Sequence, residues 1–124
     1  MIQGNYDINP DIFVSYIENA VSKLADEQYL AFVQMFDESR LSEKDVILAL
    51  KFSDEDYPVT KIDNPLEVKC GERRVDTGKF NDNSGFYMDY DLTTGGELND
   101  LSLSCEFLRT EGGYRVCLSD LHTL

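Results

Sequence analysis

The chain has 124 residues, of which twenty-four are Asp or Glu and eleven Lys or Arg, for a formal charge of −13, and 42% are apolar, with seven Phe and seven Tyr. That apolar and aromatic content predicts a single folded domain over residues 1–124 and excludes a disordered acidic chain. The charge is dispersed, with twelve Asp/Glu and five Lys/Arg in residues 1–61 and twelve and six in residues 62–124, so the whole surface repels nucleic acid, whose capture needs Lys and Arg at phosphates.

The first residues, Met1 to Asp7, have neither a basic nor an apolar stretch, so no secretory signal is expected. No run approaches the ~18 apolar residues of a membrane span. Cys70, Cys105 and Cys117 are odd in number and lack metal-ligand spacing, which predicts a reduced, cytoplasmic setting with neither metal nor cofactor.

The first half reads as helix. Asn9 is a candidate cap and Pro10 fits the first helical position, after which Phe13, Ile17, Ala20, Val21 and Leu24 share one face. Asp26 is the candidate cap of a second helix that carries Tyr29, Phe32, Val33 and Phe36 at helical spacing. Ser42 and Asp45 form a capping box with Asp in place of Glu, opening a third helix with Val46, Ile47, Ala49, Leu50 and Phe52. This helix is predicted to end near Ser53, because Asp54-Glu55-Asp56 and then Pro58 oppose its continuation. The helical layer thus covers about residues 9–53.

The period then changes. Leu66, Val68 and Cys70 alternate with polar residues, predicting a short strand after Asn64-Pro65; Gly71-Glu72 turns the chain, and residues 74–80 carry a weaker signal. Residues 81–85, Asn-Asp-Asn-Ser-Gly, are a loop. Beyond them Phe86, Met88, Tyr90 and Leu92 alternate inward, and Tyr87, Asp89 and Asp91 fall on an outward, solvated face. After Gly95-Gly96 a long strand sets Leu101, Leu103, Cys105 and Phe107 against Ser102, Ser104 and Glu106. A turn at Gly112-Gly113 pairs Phe107 with Leu118 and Cys105 with Asp120; a turn one residue earlier shifts partners by two and keeps the faces. Either register separates Cys105 from Cys117. The predicted fold class is α+β, three N-terminal helices packed on a curved, mainly antiparallel sheet over about residues 65–122.

No catalytic set emerges. His122 is the one histidine and stands at the end of the last strand, and the thiols read as small strand residues. Tyr87, Asp89 and His122 are the candidates for chemistry if the sheet encloses a pocket. Gly95-Gly96 and Gly112-Gly113 are turn glycines without the spacing of a phosphate cradle, Asp82 and Asn83 lack the ligand string of a calcium loop, and Arg73-Arg74 is too small a basic patch for nucleic acid.

The element order resembles the cone-shaped α+β roll of the nuclear-transport-factor-2-like (cystatin-like) superfamily. The run from Asp89 to Leu101, Asp-Tyr-Asp-Leu-Thr-Thr-Gly-Gly-Glu-Leu-Asn-Asp-Leu, with the closing Leu118-Ser119-Asp120-Leu121-His122, resembles small bacterial proteins of that superfamily from toxin–immunity loci, including contact-dependent growth inhibition. The resemblance implies a non-enzymatic, cytoplasmic immunity protein, monomeric or weakly dimeric, whose partner is a cognate protein toxin and neither nucleic acid nor membrane. A nuclease-type toxin has a basic cleft, and a polyanion is steered to it. The contact candidates come from the residues themselves: Asp54, Glu55 and Asp56 after the third helix, and Asp89, Asp91, Glu97 and Asp100 along the strand and loop. The alternative is an enzyme or small-ligand binder that uses the pocket of the same roll.

Overall fold

The computed structural model describes residues 2–3, 10–52, 54, 56–68 and 75–123. Asn9, Ser53, Glu55, Cys70, Gly71-Glu72 and Arg73-Arg74, named above, lie outside the described residues. The fold is mixed α+β: β1 (Ile2–Gln3), α1 (Pro10–Ala25), α2 (Tyr29–Gln34), β2 (Glu38–Ser39), α3 (Glu43–Leu50), β3 (Val75–Lys79), β4 (Gly85–Thr94), β5 (Glu97–Thr110) and β6 (Gly113–Thr123). The strands form one open sheet in the order β1-β6-β5-β4-β3; β2 adds to β6 in parallel, and the other pairings are antiparallel.

Helix α1 buries Phe13, Ile17, Ala20, Val21 and Leu24, the stripe its periodicity predicts. At its end Glu27 takes a left-handed backbone conformation (φ 61°), and the N–H groups of Glu27 and Gln28 return to the carbonyls of Leu24 and Lys23. Asp26 is spent in that turn, so it does not cap α2; Gln28 stands at the cap position without a side-chain hydrogen bond. The Ser42–Asp45 capping box is present in both directions: Ser42 Oγ accepts from the Asp45 N–H, and Asp45 Oδ2 accepts from the Ser42 N–H. The Ser42 N–H above all, with the Ser42 side chain, holds the Asp45 carboxyl below its ordinary range. Helix α3 stops at Leu50, and Phe52, at φ 54°, is exposed instead of joining the apolar stripe.

The strand expected from Leu66 is replaced by a turn. Asn64 accepts the Leu66 N–H on its side chain and the Glu67 and Val68 N–H groups on its carbonyl, leaving Leu66 exposed. The weaker segment that follows supplies β3 instead, an edge strand with Val75 paired to Tyr90 and Lys79 to Phe86. Between β5 and β6 the turn falls at Glu111-Gly112, so Phe107 faces Val116, the earlier of the two registers.

One apolar cluster joins the helices to the inner face of β4, β5 and β6. Phe13 is its hub, edge-on to Phe86, Phe107 and Tyr114 with ring centroids 4.6, 4.9 and 5.0 Å away, while Phe86 stacks on Phe107 at 5.0 Å. Cys105 lies in this face, where burial pushes its thiol far up; Cys117 lies on the other, as alternation predicts, and both thiols are free.

Candidate functional site

Residues directly opposite across an antiparallel sheet share a face. The register therefore lays out the outer surface in rows. One row runs Asp76, Asp89, Ser104, Asp120 across β3, β4, β5 and β6; the next runs Gly78, Tyr87, Glu106, Cys117 and ends on Glu38 of β2. Asp76 and Asp120 are exposed, Asp89, Ser104 and Glu106 are half-buried, and Tyr87 is 41% exposed. Three aspartates and a serine thus share one line, with Asp76 directly opposite Asp89. Like charges placed directly opposite on neighbouring strands are destabilising.

A β-bulge creates this row. Ser104 pairs with Asp120 but Cys105 with Leu118, so Ser119 is an extra residue in β6. Without it, strict alternation from Leu118 would send Asp120 inward and Leu121 outward. With it, Leu121 is buried in the core and Asp120 reaches solvent. Burial of a leucine and hydration of a carboxylate both favour the bulge.

Local hydrogen bonds and ion pairs hold both rows. Ser104 Oγ donates to Asp89 Oδ1 at 2.6 Å, and Ser119 Oγ donates to Glu106 Oε1 at 3.1 Å. Arg40 lies 3.7 Å from Glu106, and Arg115 pairs with Glu38, which raises the pKa of its guanidinium. His122 Nδ1 stands 3.4 Å from Asp120 Oδ2, an ion-pair separation without hydrogen-bond geometry. Among the described residues, this face holds hollows on either side of Glu106. One, of about 320 Å³, runs between β2 and Glu106 past Cys117. The other, of about 440 Å³, is bounded by Phe80, Asp82, Glu106 and Leu108. Burial and the Glu38 carboxylate push the Cys117 thiol up, away from the reactive thiolate.

The contact candidates separate on the fold. Asp89 sits at the centre of the outer face. Asp91, expected on a solvated face, is buried at 6% exposure, paired with Ser102, itself buried at 1%. Alternation set its side correctly, but Asp91 lies beside a β4–β5 irregularity between Asp91 and Thr93, and burial removes it from the accessible surface. Glu97 and Asp100 are exposed at the β4–β5 hairpin end. That end is clamped by Asp63, whose carboxylate accepts the Gly95 and Gly96 N–H groups at 2.9 and 2.8 Å and the Thr93 hydroxyl at 2.9 Å. Asp100 adopts φ 66°, a left-handed conformation that Asp tolerates better than most residues. Asp54 and Asp56 lie exposed on the connection from α3, where Asp54 Oδ1 accepts the Asp56 N–H at 2.9 Å. Both stand beyond the last turn of α3, which ends at Leu50, so neither carboxylate sits against the negative end of the helix dipole.

Asp76, Glu106 and Asp120 were not among the expected contacts. The hairpin alternation already set Glu106 outward. Asp76 required β3 to be assigned, and Asp120 required the bulge, for which the sequence carries no local signal.

On the inner side, Tyr90 donates its hydroxyl to Glu18 Oε2 at 2.9 Å from within the packed core. Among the described residues, no group of three or more His, Cys, Asp or Glu could hold a metal ion, and no helix is long and apolar enough to cross a membrane.

Fold and site together define a class: a three-helix, open-sheet α+β domain with one face of the sheet packed and the other acidic. The chain belongs to the family described as Domain of unknown function (DUF7668), whose profile matches residues 21–124, from within α1 to the chain end. No curated protein and no solved structure matches it.

Proposed function

We propose that this chain is a cytoplasmic immunity-type protein, built as a cone-shaped roll of the nuclear-transport-factor-2-like kind, which neutralises a cognate basic toxin domain by binding rather than by chemistry. The observation that carries the reading is the Asp76-Asp89-Ser104-Asp120 row on an accessible sheet face of a chain with net charge −13. Repulsion within that row is a cost to folding that a cationic partner removes on docking. A nuclease-type toxin supplies such a partner, because its cleft is positively charged to hold phosphates. Steering by the dispersed charge accelerates encounter by roughly 10–10³-fold.

A second reading, a small-ligand binder using the concave side, has the Tyr90–Glu18 hydrogen bond in its favour. The surrounding inner face is occupied by Phe13, Phe86, Phe107 and Tyr114 in ring contact, which favours the binding surface outside.

The reading predicts that a large protein with a C-terminal toxin domain is encoded beside this chain, and the test is co-expression with that domain. The expected outcome is that the domain alone arrests growth and that this chain restores it. Absence of arrest, or arrest that this chain does not relieve, overturns the proposal.

A further inference from the structure

The hollow of about 440 Å³ on the outer face has two kinds of wall. Phe80 and Leu108 make one wall apolar, Asp82 and Glu106 make another anionic, and the neutral Asn81 and Ser84 complete the lining. Beside it, opposite Glu106, Tyr87 lies across Gly78: a Cβ added at Gly78 would meet the ring atoms Cε1, Oη and Cζ at 2.5–2.6 Å. The missing side chain therefore lets the ring lie against β3 while remaining 41% exposed. Its centroid is 6.3 Å from that of Phe80, at 49°. The base of the hollow is fixed before any partner arrives. Asp82 Oδ1 accepts the Ser84 N–H at 3.0 Å, and hydrogen bonding from the Ser84 side chain and N–H holds its carboxyl below the ordinary range. The Ser84 carbonyl in turn accepts the Arg109 N–H of β5 at 2.8 Å. Glu106 is engaged on one oxygen by Ser119 and by the exposed Arg40. The neighbouring Lys79 pairs with Phe86 and so falls on the opposite side of the pleat.

An apolar stem and a planar cation that stacks on aromatic rings and bridges carboxylates are the attributes of arginine, whereas lysine offers a compact, strongly hydrated charge. We infer that this hollow is the docking site for an arginine side chain presented by the partner, its stem against Phe80 and Leu108 and its guanidinium between Tyr87, Asp82 and Glu106. The inference rests on the basic-partner reading and names the contact that reading leaves open.

The experiment titrates the isotope-labelled full chain with nona-arginine and nona-lysine peptides at low salt, following backbone amides by NMR. The amides of Phe80, Tyr87, Glu106 and Leu108 are expected to shift most, and nona-arginine to bind more tightly than nona-lysine. Tyr87→Ala and Glu106→Gln should each weaken nona-arginine about five-fold, with Tyr87→Phe near the parent and Glu67→Gln without effect. Because Tyr87 covers Gly78, its alanine variant can loosen β3; Glu106→Gln tests the site independently. No binding, shifts centred on another part of the surface, or equal affinity for both peptides and all variants overturns the inference. The growth assay separates the two levels. Rescue by both the parent and Tyr87→Ala, each at full strength, discards the arginine site and keeps the immunity reading. Failure of the parent to rescue discards the immunity reading, while arginine-selective shifts at the hollow would still support the site.

Discussion

Along β4 and β5, Met88, Tyr90, Leu103, Cys105 and Phe107 are almost wholly removed from water on one side of the pleat, while Tyr87, Asp89, Ser104 and Glu106 keep access to it on the other. The same two strands thus carry two different physical problems. On the inner side, aromatic rings interlock around Phe13, and each buried side chain adds to stability. On the outer side, the pairing of Asp76 with Asp89 works against stability, and the bulge at Ser119 brings a third aspartate, Asp120, into the same row. A fold selected for stability alone would place opposite charges or threonines there. What the two faces teach is that the helices and the inner face make the domain, and the outer face is free to be shaped by what it meets.

Substitutions on the two faces should therefore act with opposite sign. Phe107→Ala removes a wholly buried ring in contact with Phe13 and Phe86 and should cost about 3–5 kcal/mol in urea denaturation. A cost below about 1 kcal/mol would show that the inner cluster is not the source of stability. Asp76→Asn on the outer face should instead raise stability, by about 0.5 kcal/mol, since it relieves the like-charge pair with Asp89. The same variant should bind a basic partner more slowly. If it lowered stability and left association unchanged, the difference between the faces would lose its functional meaning.

The inner face was largely legible in the sequence, and the outer one was not. The stripe from Phe13 to Leu24, the Ser42–Asp45 cap and the alternation of Met88, Tyr90 and Leu92 follow from local periodicity and local hydrogen bonding, and all appear in the fold. The outer row depends on relations between distant residues. Asp76 joins it because residues 75–79, a segment with a weak signal of its own, pair with β4. Asp120 joins it only through a bulge opposite Ser104 and Cys105, which no residue of β6 announces. Asp91 leaves the accessible surface although its place in the alternation is ordinary, because neighbours distant in sequence decide burial. The two-residue β2 was unseen for the same reason: it is held by the Asp37 carboxylate on the Val116 N–H and by the Arg40 N–H on the Leu118 carbonyl, not by a pattern of its own.

The central claim is that the acidic outer face steers and holds a basic partner. Its most direct test is the association rate with the purified cognate toxin domain that the proposed function requires, measured by stopped flow from about 0.05 to 0.5 M salt, across which the Debye length shortens severalfold. The account predicts a rate that falls at least about ten-fold over that range for the parent, and less steeply for the triple variant Asp76→Asn, Asp89→Asn, Asp120→Asn. A rate that is flat with salt, or equally steep for parent and triple variant, would contradict it.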